Sequence, residues 1–138
     1  MAQVAAAPKA VKNMLVKIGA DSYELHANNV KWSKNTTQVE WQGGTPDANY
    51  VDVVESTHAC AINLVHDYQN EDSLFNFLID HEGETAEISY RPDAEEDFVQ
   101  TATLTLVAPD TGGEMRKHHE STVTCPSTKP TRTFTAPA

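Results

Sequence analysis

The stretch Thr85-Ala86-Glu87-Ile88-Ser89-Tyr90, the break Arg91-Pro92-Asp93, and the run Phe98-Val99-Gln100-Thr101-Ala102-Thr103-Leu104-Thr105-Leu106-Val107 decide the fold. In the first piece Ala86, Ile88 and Tyr90 share one parity, and Thr85, Glu87 and Ser89 share the other. A strand points successive side chains to opposite faces, so this period of two predicts a half-buried strand. The second run predicts a long strand, with Phe98, Ala102, Leu104 and Leu106 against Val99, Thr101, Thr103 and Thr105. Proline and aspartate between them supply the turn. Each piece has one apolar face for a core and one polar face.

Working outward, Pro109-Asp110-Thr111-Gly112-Gly113 is turn chemistry, and His119, Ser121, Val123 and Cys125 alternate with Glu120, Thr122 and Thr124 up to Pro126. Upstream, Leu74, Phe75, Leu78 and Ile79 recur at helical spacing, which predicts a helix over 71–82. Asp72 or Asn70 would cap it and Gly83 would end it. His58 to His66 reads as a buried strand, apolar on both parities. Further back, Met14-Val16-Ile18, Tyr23-Leu25, Val30-Trp32 and Val39-Trp41 give short alternating pieces, the last two flanking a polar turn at Ser33–Thr37. Between Gln42 and Ser56 the periodicity stops, although Tyr50, Val51, Val53 and Val54 are apolar. The expectation is a long functional loop whose apolar cluster needs something to pack on.

The sum is a mainly β chain: a two-layer β-sandwich or barrel-like domain with one flanking helix, a long loop and extended termini. The expected divisions are an N-terminal arm 1–12, a domain 13–126 with loop 42–56 and helix 71–82, and a C-terminal tail 127–138. The chain has 138 residues, one domain's worth.

The net charge of −10 argues against gripping phosphates or an anionic membrane, and no apolar run nears the roughly 20 residues of a spanning helix. No membrane insertion and no secretory leader are expected. The charge is concentrated: residues 67–97 hold eleven acids and one base, while 1–39 and 115–138 each carry a net +3. Sign-matched ends and middle would steer copies together.

Chemistry-bearing motifs are thin. Six histidines form no metal-ligand spacing, and His118 and His119 point to opposite faces of a strand. Cys60 and Cys125 fall on the apolar parity of their strands and could meet across a core, but two buried small hydrophobes is the simpler reading. Asp93, Glu95, Glu96 and Asp97 lack calcium-loop spacing. No cofactor, no metal and no enzyme activity are expected.

A run of segments resembles the major tail tube proteins of long-tailed, non-contractile (siphovirus) bacteriophages. The segments are Ser73-Leu74-Phe75-Asn76-Phe77-Leu78, His81-Glu82-Gly83, Arg91-Pro92, Phe98-Val99-Gln100-Thr101-Ala102-Thr103-Leu104, Ala108-Pro109-Asp110-Thr111-Gly112-Gly113-Glu114 and a final Ser/Thr-rich strand, together spanning about residues 57–135. The resemblance implies a sandwich with a flanking helix, related in fold to type VI secretion tube proteins. It implies hexameric rings stacked into a virion tail tube, assembled in the host bacterial cytoplasm. Partners would be further copies of the chain and the tape-measure, tail-terminator and tail-tip proteins, with DNA passing through unbound.

On that basis Thr85, Glu87, Ser89, Thr101, Thr103 and Thr105 are the candidates for the lumen. A lining free of Lys and Arg is expected because cationic contacts hold phosphates. Tyr50, Val51, Val53 and Val54 are candidates for ring stacking. Asp93, Glu95, Glu96 and Asp97 would meet Lys9, Lys12 or Arg132 of a neighbour. The competing readings are an accessory β-sandwich binding module for carbohydrate or protein, with Trp32 and Trp41 as its platform, and a hydrolase built on the acidic segment.

Overall fold

The computed structural model describes residues 3–6, 8, 10 and 12–136. The elements are β1 (Leu15–Ile18), β2 (Asp21–Ser22), β3 (Ala27–Gln42), β4 (Asn49–Val65), α1 (Leu74–Asp80), β5 (Thr85–Arg91), β6 (Phe98–Thr105), β7 (Glu120–Ser127) and β8 (Thr131–Phe134). The chain is mainly β with one helix, and its strands are antiparallel in the order β2-β1-β5-β6-β7-β4-β3, with β8 also on β6.

The joint between β6 and β7 makes two layers from one sheet. Those strands pair only at Leu104↔Ser127, while β8 takes over β6 from Thr101↔Thr131 to Phe98↔Phe134. The chain thus leaves β4 along β7, turns a corner at 127–130 and runs on beside β6. Corners of this kind let one sheet curl over itself. One core cluster is filled from both sides: Val16, Ile18, Ile88 and Leu104 from one layer, Cys60, Ile62, Leu64 and Val123 from the other. Trp32 of β3 and Tyr90 of β5 bring their ring centroids within 5.8 Å across the gap.

The β5–β6 pair forms as its alternation dictates, with Ile88, Ala102 and Leu104 buried and Glu87, Thr103 and Thr105 exposed. Elsewhere the sequence reading is corrected. The two pieces around Ser33–Thr37 are one strand, β3, because β4 pairs with it without a break from Ser33↔Ala59 to Thr37↔Glu55. Residues 42–56 are not a loop. Only 43–48 turn, and β4 begins at Asn49. The periodicity failed there for a physical reason. The register shifts between Thr37↔Glu55 and Gln38↔Val53, so Val54 is an extra residue that flips the parity of everything beyond it. Tyr23 and Leu25 form no strand: Tyr23 is buried and Leu25 stands exposed in a turn.

The helix is shorter than 71–82. Asn70 Oδ1 accepts from Asp72 N at 3.0 Å, which makes a turn of those residues. Ser73 is the cap: its hydroxyl accepts from Asn76 N at 3.3 Å and donates to Asp67 O at 2.9 Å. Leu74, Phe75 and Leu78 are buried, but Ile79 is exposed, and Phe77 packs against Tyr23 at 5.7 Å between ring centroids instead. Gly83 does take a left-handed φ of 88°.

Pro126 does not end its strand; it pairs with Ala59 inside β7. His66 N donates to His119 O, so even-numbered β4 amides face β7 and bond its odd-numbered residues. Even-numbered β7 residues, Pro126 among them, direct their nitrogens away from β4, and no ladder bond is lost. The expected tail 127–138 contains β8, so the domain runs beyond 126. Of the arm 1–12, the described residues 3–6, 8, 10 and 12 carry no regular structure, and Lys9 lies outside the described residues.

Candidate functional site

Three surfaces and one half-buried polar network carry the chemistry of this chain. The first surface is the outer face of β5–β6. The six lumen candidates are three directly opposed pairs, Thr85↔Thr105, Glu87↔Thr103 and Ser89↔Thr101. Opposed residues share a face, so this is one continuous polar patch. Beside it Thr101 Oγ1 donates to Thr131 O at 3.4 Å. The face is not free of cations. Lys17 of β1 stands opposite Ser89, and Arg91 opposite Leu15. Arg91 is tied down, donating to the carbonyls of Glu96 and Thr135.

The second surface is the turn 92–97 between β5 and β6. Asp93 Oδ1 accepts from Glu95 N at 3.0 Å and Ala94 N donates to Asn13 O at 2.8 Å. Lys12, expected opposite these acids in a neighbour, lies beside them in the same chain: Ala10, Lys12, Asn13, Asp93 and Glu95 line a cavity of about 310 Å³. Arg132 is on β8, paired with Gln100.

The third is the β3–β4 hairpin. Among the described residues, neither strand has a third strand beside it beyond Lys34↔His58, because β7 stops at Ser127 opposite His58. Trp41 and Tyr50 are a cross-strand pair with ring centroids 5.9 Å apart. Val39, Trp41, Tyr50, Val51, Val53 and Val54 are all exposed, Trp41 to 62%. Trp32 does not join them as a platform: it is half-buried and donates Nε1–H to Ser127 Oγ at 3.2 Å.

The network, in which only His66 is buried, was invisible in the sequence. His119 Nε2 is 2.9 Å from Glu114 O, so that nitrogen donates and Nδ1 accepts. Tyr68 hydroxyl lies 2.6 Å from His119 Nδ1 and 3.1 Å from His66 Nδ1, and Ser121 Oγ is 2.8 Å from His66 Nε2. Every member finds a partner when both rings are neutral. Burial pushes the His66 pKa down and the neighbouring His119 acts in the same direction, while Asp110 opposes it. Only the His119–Ser121 parity hinted at this; Tyr68 lies in an aperiodic connection with no pattern to mark it.

Cys60 and Cys125 are directly opposed on β4 and β7, both buried and both free thiols. Burial, and next the neighbouring Cys125, pushes the Cys60 thiol up to about 12, so it does not supply a thiolate nucleophile. Among the described residues no group of three or more His, Cys, Asp or Glu could hold a metal ion. No helix among them is long and apolar enough to cross a membrane.

No protein-family model matches the chain and no curated protein matches it in sequence. Its fold does match solved structures. A chain in the structure of an extracellular contractile injection system, PVC sheath/tube terminator in extended state, superposes with a TM-score of 0.64 at 14% identity, covering 94% of this chain and 99% of that one. A chain in the virion of a native gene transfer agent particle superposes with a TM-score of 0.62 at 15% identity, covering 94% and 100%. At such identity the likeness is one of fold, matched over nearly the full length of both chains.

Proposed function

We propose that this chain is a structural subunit of a phage-type tail, polymerising as rings that stack into a tube for genome delivery. The observation that carries the reading is the hairpin beyond Lys34↔His58, which exposes six large apolar side chains on a ribbon without a third strand. A lone two-stranded ribbon is marginal in water. Apolar surface of that extent on a projection fits burial between copies. The fold shared with chains of tail-like particles supports it.

In this reading the Thr/Ser/Glu face of β5–β6 lines the channel. Hydroxyls and a carboxylate offer a duplex no cationic grip, and Lys17 sits on the β1 side of that face. Ring closure would bury sheet edges that otherwise invite random pairing. The virion is the expected location, with tape-measure, terminator and tip proteins as partners at the tube ends.

The test is electron microscopy of the purified full chain, where rings or tubes are expected and monomers at every concentration would refute the reading. Within tubes, Glu87→Lys should assemble normally yet retard DNA passage; unchanged ejection by particles carrying it would remove Glu87 from the lumen.

A further inference from the structure

The segment 108–118, which links β6 to β7, is exposed over 111–118 yet firmly held. Its anchor is the half-buried His66–Tyr68–His119–Ser121 network. His119 Nε2 donates to Glu114 O, and the His119 ring lies so close to Gly113 that a Cβ there would come within 2.8 Å of it. His66, the buried member of that network, keeps both ring nitrogens paired, so its burial leaves no polar atom unsatisfied. The network's effect is to tie the loop at Gly113 and Glu114, next to the tip.

That tip is strained. Arg116 has a φ of 71°, the left-handed region, and is the only such non-glycine among the described residues. Strain of this kind persists where the surroundings impose it, and it marks positions that present a side chain for use. The charges of the loop are sorted. Asp110 acts on His66, and Glu114 pairs with Lys117 at 2.8 Å. Arg116 has no ion-pair partner among the described residues, and Met115 beside it is 82% exposed. Arginine and methionine are enriched in interface cores.

The position of the tip matters as much as its chemistry. β6 runs from Phe98 to Thr105, with the acidic turn 92–97 before its first residue and the held loop after its last. Eight residues at ~3.4 Å each separate them by about 27 Å. Arg116 and the acidic turn therefore sit at opposite ends of one strand and do not pair within a copy. Copies stacked in one direction bring the tail end of one against the head end of the next, a heterologous contact that repeats without closing.

We infer that Met115 and Arg116, held out by the His119 anchor, seat on the acidic turn 92–97 of a second copy stacked head to tail, with Glu95 and Asp97 as the acceptors for the guanidinium. This rests on the tube reading and names a second contact, separate from the hairpin. An arginine fork satisfies two carboxylate oxygens at once, which sets register as well as attraction.

The experiment measures, for the full-length chain, the protein concentration at which tubes form. Arg116→Glu should raise it about tenfold or more. Glu95→Lys with Asp97→Lys should do the same. Combining all three reverses the charges on both sides of every contact and should restore assembly. Arg116→Gly separates this role from a structural one: relieving the left-handed strain should raise the monomer's melting temperature while assembly still weakens. Tubes forming normally with Arg116→Glu would overturn the contact alone. Failure of the triple variant to recover would overturn the acidic turn as its seat. A wild-type chain that stays monomeric would overturn both this contact and the tube reading.

Discussion

The two halves of the β3–β4 hairpin belong to one ladder and live in different worlds. In the lower half, Val30, Cys60, Ile62 and Leu64 are buried, and β7 lies along β4 as a third strand. In the upper half the same two strands continue the same pairing through Trp41↔Tyr50, yet the large apolar side chains all stand in solvent. Backbone hydrogen bonds are equivalent in both. What differs is the burial that offsets the entropy of ordering the chain. The lower half belongs to the domain's cooperative unit; the upper half is ordered at its own expense until something covers it. The boundary is at Lys34↔His58, where β7 ends, and the bulge at Val54 lies beyond it inside the exposed half.

The sharpest way to break this comparison is to remove the lower half's support. Ile62 is fully buried at the centre of the cluster. Ile62→Ala should cost roughly 2–5 kcal/mol in chemical denaturation of the monomer. A loss under about 0.5 kcal/mol would mean that the two layers do not close over it.

The helix offers the next largest effect. Ser73 is fully buried and serves two partners, Asn76 N and Asp67 O. Ser73→Ala should cost about 0.5–2 kcal/mol. Ser73→Thr keeps the capping oxygen but adds a methyl to a filled site, so it should fall between the two. Equal stability of Ser73→Ala and wild type would return the cap to Asn70 or Asp72.

How far the sequence reached follows from the same physics. Where one face meets the core and the other meets solvent, as in β5 and β6, composition alternates and the strand is legible. The lumen candidates came out as three opposed pairs because the period of two forces them onto one face. Where neither face is buried, as in 33–42, 49–54 and 56–57, burial imposes no alternation and a strand looks like a loop. Tyr50 and Val51, or Val53 and Val54, read as an aperiodic cluster because a bulge and two solvent-facing sides remove the pattern. The switch from β4 to β6 at 127–130 was hidden too: Pro126 reads as a terminator unless the direction of its nitrogen is known. The His66–Tyr68–His119–Ser121 chain depends on three-dimensional proximity alone.

A smaller effect sharpens the boundary from the other side of the sheet. The pKa of His66 is lowered in the folded chain, so unfolded protein takes up protons first as the pH falls. Stability is full above the unfolded histidine's value near 6.5 and declines as pH drops through that value toward the lowered folded one. Denaturation midpoints measured from pH 7.5 to 5 should fall, and more gently in His66→Gln. A wild-type profile no steeper than the variant's would show that the buried imidazole does not contribute. The upper hairpin should be blind to this change, since its tip is far along β4 from His66.

The smallest effect on the monomer is the most telling. Trp41 pairs with Tyr50, and its ring also lies against Gly43 in the turn. Such a cross-strand aromatic pair contributes roughly 0.5–1.5 kcal/mol to the segment that contains it. If the upper half opens independently, that energy belongs to the local opening and not to global unfolding. Trp41→Ala should then leave the denaturation midpoint within about 0.5 kcal/mol of wild type. Amide exchange over 38–53 should speed up, while amides of Cys60, Ile62 and Leu64 keep their protection. Tube formation should be lost, because the apolar surface offered to a neighbour is diminished. A midpoint shift approaching that of Ile62→Ala would show that the whole hairpin unfolds with the core, and the distinction between its two halves would be gone.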